Sequence, residues 1–271
     1  MTTATVSTPP AEVAVARPAR TIAPIPMTRL VRVELRKMFD TRAGFWLMAS
    51  VGILAVLATA AVILWAPDTS IDQETFSSAI GMPLSVVLPI IGLLSITSEY
   101  SQRTGLTTYT LVPWRGRVVT AKVIVTLAIG VASMFLALAV GAVGNLLGSA
   151  ITGLDPVWNV TAQEFAQVVL ANVLGMLIGF TLGVLMRSSA AAVVGYFVYS
   201  LVLPAALGAL AAFQEWFRDL QPWVDVNYAT TRLFDDTMTA ENWQQLAVTT
   251  LVWLWIPLAI GLRAVLRAEV K

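Results

Sequence analysis

Six long stretches of the chain contain no Asp, Glu, Lys or Arg, and polar segments separate them. A helix needs about 20 apolar residues to cross roughly 30 Å of hydrocarbon, where lipid offers the backbone no hydrogen-bond partner. Every stretch is long enough, so the pattern predicts an all-α membrane protein with six transmembrane helices. The predicted spans cover about residues 43–66, 76–98, 120–150, 165–186, 189–212 and 244–263.

The segment before the first span has two parts. Residues 1–26 are rich in Ala, Thr, Val and Pro, which predicts a flexible cytoplasmic tail. Residues 27–39 show helical periodicity, with apolar side chains on one face and three arginines on the other. We expect this helix to lie in the inner membrane interface; alternatively, it is only a basic flank of the first span. Glu34 falls on the apolar face and requires a partner, such as a loop arginine.

Two other polar segments stand out. Residues 99–122, between the second and third spans, are polar, basic and capable of forming a helix interrupted by Gly105. This loop could present a small docking surface to another protein. Residues 213–243 combine several Trp, Phe and Tyr residues with acidic ones, as expected for amphipathic pieces at the outer interface.

Positive charge is concentrated on one set of segments. Of the 17 Lys and Arg residues, 15 lie before the first span, in the second and fourth loops between spans, or after the last span. Only Arg218 and Arg232 lie in the other set. Because Lys and Arg accumulate in cytoplasmic loops, this asymmetry predicts that both termini are cytoplasmic.

Composition agrees with a membrane protein and removes several kinds of chemistry. Hydrophobic residues make up 57% of the chain and charged residues 12%, whereas soluble proteins have about 45–50% and about 25%. The absence of Cys and His excludes thiolate catalysis and the commonest metal ligand. The charge-free stretches lack the ionisable groups that mark proton relays. We therefore expect no enzyme, no metal site and no proton-coupled carrier.

The chain also lacks the G-x-x-x-x-G-K-[ST] loop that cradles nucleotide phosphates. Its basic residues lie beside the spans without interleaved aromatics, which argues against nucleic-acid binding. Any driving force is therefore expected to come from another protein.

Glycines recur at steps of four in two spans, at Gly175, Gly179 and Gly183 and at Gly144 and Gly148. Small residues at this interval allow helices to approach closely. We interpret them as packing positions.

Three cytoplasmic stretches carry a resemblance to a known family. Residues 32–37 (RVELRK) precede the first span, residues 98–108 (SEYSQRTGLTT) follow the second, and residues 113–117 (PWRGR) with Lys122 enter the third. Together with the six spans, they make the chain resemble an ABC type-2 transporter permease, a bacterial membrane subunit whose ATPase is a separate polypeptide.

The resemblance implies an interfacial elbow helix over residues 27–39, including Glu34, Arg36 and Lys37, and a cytoplasmic coupling helix at about residues 99–108. It also implies a set of residues that contact the ATPase: Glu99, Gln102, Arg103, Thr104, Gly105 and Thr108. Alternatively, Glu99 and Arg103 form only an intrahelical pair worth about 0.2–0.5 kcal/mol.

Further expectations follow from the resemblance. Two copies of the chain would pair in the bacterial cytoplasmic membrane, and two ABC ATPase subunits would bind ATP and Mg²⁺ while the chain itself binds no cofactor. Alternating access would export an apolar or amphipathic substrate along spans 2 and 5. The residues implied to line this path are Met82, Leu84, Tyr196, Phe197 and Tyr199.

Two other functions remain open at this point. A self-contained secondary transporter or channel could use backbone carbonyls at helix breaks near Pro83, Pro89 or Pro204. A membrane protein of immunity or assembly would have no transport cycle.

Overall fold

A computed structural model of the chain describes residues 25–101, 114–235 and 237–267, and the regular elements in these ranges are all helical. The α-helices are α1 (Met27–Asp40), α2 (Arg42–Trp65), α3 (Gln73–Ser101), α4 (Arg115–Thr152), α5 (Ala162–Met186), α6 (Ser189–Phe197), α7 (Leu203–Phe213), α8 (Glu215–Val224), α9 (Val226–Thr231), α10 (Ala240–Thr250) and α11 (Ile256–Arg267). The π-helical segments Val198–Val202 and Leu251–Trp255 join α6 to α7 and α10 to α11. Short 3₁₀ helices lie at Asp68–Ser70 and Arg232–Phe234. The predicted tail, apart from its last two residues, lies outside the described ranges.

Six helices in the described ranges are long and apolar enough to cross a membrane, one for each predicted span. They are Arg42–Trp65, Gln73–Tyr100, Gly116–Thr152, Ala162–Met186, Ser189–Phe213 and Ala240–Arg267. The prediction of an all-helical protein with six candidate spans is confirmed.

Prolines act differently in different helices. Pro204 and Pro257 lie at the second residue of α7 and α11, directly after the two π-helical segments. A proline removes one backbone donor and crowds the preceding turn, which a local π-helical turn accommodates. Pro83 and Pro89, by contrast, lie inside the uninterrupted α3.

Side chains that cap the backbone fix several helix ends. Thr41 accepts a hydrogen bond from the Gly44 N–H at 3.0 Å at the start of α2. At the start of α5, Thr161 and Glu164 form a reciprocal capping box. Gly153 ends α4 with a φ of 73°, a left-handed conformation that favours glycine.

Helix α5 lies at the centre of the bundle. In its most apolar 18-residue window, 61% of the residues are buried, against 11% for the span formed by α6 and α7. The central helix packs most extensively against α3, and its Met176 is fully buried together with Leu84 and Leu88 of α3. The α6–α7 span therefore leaves most of its apolar surface free for lipid or another protein.

The glycine pattern has the predicted role in packing. A Cβ at Gly179 would collide with the Pro89 carbonyl oxygen of α3, and one at Gly183 would lie 2.9 Å from the Leu93 carbonyl oxygen. In α4, a Cβ at Gly144 would meet the Phe76 ring at 2.9 Å. Close helix approach at these positions is thus confirmed.

Between α7 and α10 the chain forms the short helices α8 and α9. On α8, Phe217 and Gln221 are buried whereas Trp216 is exposed, so the helix is amphipathic as predicted. Asp225 caps α9 by accepting hydrogen bonds from the backbone N–H groups of Asn227 and Tyr228.

Candidate functional site

Four charged side chains meet where α1 packs against the end of α3 and the beginning of α4. We call Glu34, Lys37, Glu99 and Lys122 the charge quartet. Glu34 and Lys37 come from α1, Glu99 from the last turn of α3, and Lys122 from the third turn of α4. Two carboxylates and two ammonium groups make the quartet electrically neutral.

The packing of α1 explains why these groups meet. Leu30 of α1 is buried against Val118 and Ala121 of α4. One helical turn further along each helix, at i+4, lie Glu34 and Lys122, which therefore share the same interface. The contact joins residues 88 positions apart in the sequence.

The ion pairs within the quartet are short. Lys122 Nζ donates to Glu34 Oε2 at 2.6 Å and lies 3.1 Å from Glu99 Oε1. It also donates to the Ser95 carbonyl oxygen at 3.3 Å. Lys37 Nζ donates to Glu34 Oε1 at 2.8 Å and to Glu99 Oε1 at 3.0 Å. Each lysine thus bridges both carboxylates.

Three members of the quartet are buried. Lys122 is 2% exposed, Glu99 5% and Glu34 6%, whereas the Lys37 side chain is 42% exposed. Removing one partner from such a cluster leaves an uncompensated buried charge, which costs about 3–5 kcal/mol. Glu99 Oε2 is also buried and has no hydrogen-bond partner among the described residues.

The surroundings of Lys37 favour its charged form. Burial alone would lower the pKa of this lysine, but the hydrogen bond and charge of Glu34, together with the charge of Glu99, raise the pKa above its ordinary value. Lys37 therefore stays protonated across the physiological range.

A cavity of about 420 Å³ borders the quartet. All four quartet residues line it, together with the apolar residues Met38, Leu47, Met48, Ile91 and Leu94 and with several small or hydroxyl-bearing residues. The cavity thus lies between α1, α2 and α3, and the quartet joins α1 to α3 at one side of it.

The predicted coupling residues are only partly within the described ranges. Glu99 belongs to the quartet, whereas Gln102, Arg103, Thr104, Gly105 and Thr108 lie outside the described residues. The alternative pairing of Glu99 with Arg103 therefore stays untested.

The predicted elbow residues divide into two groups. Glu34 and Lys37 belong to the quartet, whereas Arg36 faces outward and lies 3.8 Å from Asp40 in an exposed pair. Within the described residues the partners of Glu34 are Lys37 and Lys122. The expectation that a loop arginine pairs with Glu34 stays untested, because Arg103 lies outside these residues. The sequence contains one signal for Lys122, because a charge at the edge of the predicted span 120–150 requires a partner.

The predicted path residues occupy different environments. Met82 and Phe197 are exposed, Tyr199 is half-buried, and Leu84 and Tyr196 are buried within the chain. The Tyr196 hydroxyl donates to the Ser85 carbonyl oxygen at 3.1 Å, which ties α6 to α3. The structure therefore does not gather the five residues on one surface of the single chain.

Comparison with protein families matches residues 30–203 to the family described as ABC-2 family transporter protein. No curated protein matches the chain. The family match covers more than half of the chain and includes all four residues of the charge quartet. Its members are membrane components of ABC transporters. With six helices able to cross a membrane, this multi-pass chain belongs to the ABC-2 transporter family.

Proposed function

We propose that the chain is the permease subunit of an ATP-binding-cassette exporter. Two copies form the path for an apolar or amphipathic substrate, and a separate ATPase drives the cycle with ATP and Mg²⁺. In this arrangement α1 is the interfacial elbow helix, residues 99–108 form the coupling element, and both termini face the bacterial cytoplasm.

The charge quartet is the observation that carries this proposal. Residues 102–113 lie between α3 and α4, and the quartet joins both of these flanking helices to α1. A force applied to this segment by an ATPase would therefore reach α1 through short, buried ion pairs. Such pairs transmit displacement well because separating them exposes unpaired charge to a medium of low dielectric constant.

Coupling between the ATPase and the membrane subunit has an energetic requirement. Binding of ATP at the partner shifts the membrane subunit only if contacts differ between its two states. The cavity beside the quartet leaves space for α1 and α2 to move relative to α3. We propose that the inward- and outward-facing states differ in this space while the quartet holds together.

Purification of the partner tests the proposal first. The tagged chain, isolated from its native membranes, is expected to retain an ABC ATPase identifiable by its phosphate-binding loop. In the reconstituted complex, Glu99→Gln should lower ATP hydrolysis at least about fivefold, since coupling energies of this kind are about 1–3 kcal/mol. Arg263→Gln, an exposed residue of α11, is the matched control and should leave hydrolysis unchanged.

Two results would contradict the proposed function or the coupling role of the quartet. Recovery of no ATPase, together with ion-driven uptake by the purified chain alone in liposomes, would replace this proposal with a self-contained secondary transporter. Full ATP hydrolysis by the Glu99→Gln complex would remove the coupling role of the quartet.

Pairing of two copies is tested separately, and the absence of cysteine gives a clean background. Phe197 and Leu201 are exposed on the sparsely buried span formed by α6 and α7. We expect Phe197→Cys and Leu201→Cys to give cross-linked dimers in membranes. Val56→Cys, which is also exposed but lies on α2, is the control. Equal cross-linking at all three positions would contradict this dimer arrangement.

A further inference from the structure

A second cavity lies at the other end of α3, away from the charge quartet. It has a volume of about 320 Å³ and is bounded by α3, α4, the beginning of α5 and Phe234. This volume lies within the range of about 300–1,000 Å³ that is usual for small-molecule sites. Its apolar lining includes Met82, Met134, Ala137, Leu138, Phe165 and Val168.

Two carboxylates border this apolar space. Glu74 and Glu164 lie in the first turns of α3 and α5, and both line the cavity. Each uses one oxygen locally: Glu164 Oε2 accepts from the Thr161 N–H at 2.8 Å, and Glu74 Oε2 accepts from Asn159 Nδ2 at 3.2 Å. Within the described ranges, the other oxygen of each has no hydrogen-bond partner.

The charge around the cavity is uncompensated. Residues 66–74 and 153–165 contain five acidic residues and neither Lys nor Arg. Arg232, beside Phe234, already donates to Asp235 at 3.1 Å and to the Tyr228 hydroxyl. A positively charged ligand would therefore be attracted to this cavity, and an anion would be repelled.

The side chains that line the cavity favour an organic cation over a divalent metal ion. No group of three or more acidic or other metal-ligating side chains converges in the part of the chain that the structure describes. Divalent metal ions require several such oxygens, whereas an onium group needs one or two carboxylates and an aromatic face. Phe165 provides such a ring, and Met82 and Met134 provide adaptable apolar contacts.

We infer that this cavity binds a monovalent amphipathic organic cation. Its apolar groups contact Met134, Leu138 and Val168, and its positive charge is attracted by Glu74 and Glu164. The inference deepens the proposed function, on which it depends only for the role of this cation as transported cargo.

Binding to the chain alone tests the site. The purified protein in phosphatidylcholine nanodiscs is titrated with radiolabelled tetraphenylphosphonium, and binding to empty nanodiscs is subtracted. Tetraphenylborate has the same shape and the opposite charge. We expect saturable binding of the phosphonium and none of the borate; equal binding of the two ions would overturn the inference.

Isosteric variants separate charge from shape. Glu74→Gln and Glu164→Gln preserve the local hydrogen-bonding oxygen while removing the charge, so each should weaken phosphonium binding about two- to fivefold. Asp155→Asn removes an equal charge from an exposed residue that does not line the cavity, and should weaken binding less than either glutamine variant. Unchanged affinity in both glutamine variants would contradict the role of these carboxylates.

A cavity-filling variant tests the location. Gly81 lines the cavity, and a Cβ at this position would meet no atom within 4 Å. Gly81→Leu should therefore fill the space, leave the fold intact and abolish phosphonium binding. Gly52→Leu is the control, since Gly52 is equally unobstructed but lies on α2 outside the cavity. Full binding by the Gly81→Leu protein would overturn the assignment.

The role as cargo has a separate readout. In the complex with the partner ATPase, tetraphenylphosphonium should stimulate ATP hydrolysis; Gly81→Leu should abolish this stimulation, and Gly52→Leu should retain it. Binding without stimulation would overturn the cargo role and leave the site in place. Failure to recover an ATPase would count against the proposed function, and the nanodisc measurement would still decide the site.

Discussion

The carboxylates at the two ends of α3 differ in burial and in how their charge is balanced. Glu99, at one end, is buried and shares two lysines with Glu34, so that charge is balanced within the protein. Glu74, at the other end, is exposed beside a cavity in a region with neither Lys nor Arg. Balanced buried charge holds elements of the same chain together, whereas unbalanced charge at a cavity is suited to a ligand from outside.

The largest loss of stability is expected from removing one lysine of the charge quartet, at the end of α3 where charge is balanced. Lys122→Met leaves Glu34 and Glu99 facing Lys37 alone, and the unfolding free energy should fall by about 3–5 kcal/mol because a buried charge loses its partner. Thermal unfolding of the detergent-solubilised protein measures this loss. The double variant Glu34→Gln with Lys122→Met should recover part of it, and a melting temperature equal to wild type in the single variant would contradict the structure.

A smaller effect is expected midway between the two ends, where α5 contacts α3. Gly179→Ala places a methyl group against the Pro89 carbonyl oxygen, so the helices must separate. Overpacking of this kind costs about 1–3 kcal/mol. Gly208→Ala on α7 meets no atom within 4 Å and serves as the control in the same unfolding measurement. Equal stability of the two variants would rule out the close contact.

A smaller loss of stability is expected at the start of α3, where the charge of Glu74 is not balanced by Lys or Arg. Asn159 Nδ2 donates to Asp72 at 3.1 Å and to Glu74, and Asn159 Oδ1 accepts from the Glu74 N–H at 3.0 Å. Asn159→Ala should cost about 1–2 kcal/mol through lost hydrogen bonds and carboxylate repulsion. The loss should shrink as salt is added, because exposed charges are screened. A loss that does not depend on salt would exclude repulsion as its cause.

The smallest effect is expected at an exposed pair close to the quartet. Arg36 lies 3.8 Å from Asp40, with side-chain exposures of 80% and 67%. Arg36→Gln should change the unfolding free energy by no more than about 0.5 kcal/mol, since water screens exposed pairs. A loss comparable to that of Lys122→Met would show that burial does not explain the difference between them.

Much of the fold was predictable because each helix carries its own signal. The six spans, the helix over residues 27–39 and the glycine contacts of α5 all follow from local composition and spacing. The π-helical segments before Pro204 and Pro257 were less accessible, since a proline alone does not distinguish a kink from a π-helical turn, as Pro83 and Pro89 show.

The candidate site was predictable in its parts and not in its assembly. Glu34, Lys37 and Glu99 come from separate stretches that the sequence marks out, but the pairing of Glu34 with Lys122 does not follow from those stretches. Arg36 points away from the interface and is exposed, whereas Lys122 reaches it because α1 packs on α4 through Leu30 and Val118.

The sequence by itself determined that this chain is helical, how many helices can cross a membrane and where they lie, because a backbone in lipid must satisfy its own hydrogen bonds within each segment. Only the tertiary structure decided that Lys37 and Lys122 together neutralise Glu34 and Glu99 and that Glu74 and Glu164 border one cavity. These contacts depend on which helix faces pack together. The energy of an ion pair depends on the distance between its two charges and on their burial, and not on their positions in the sequence.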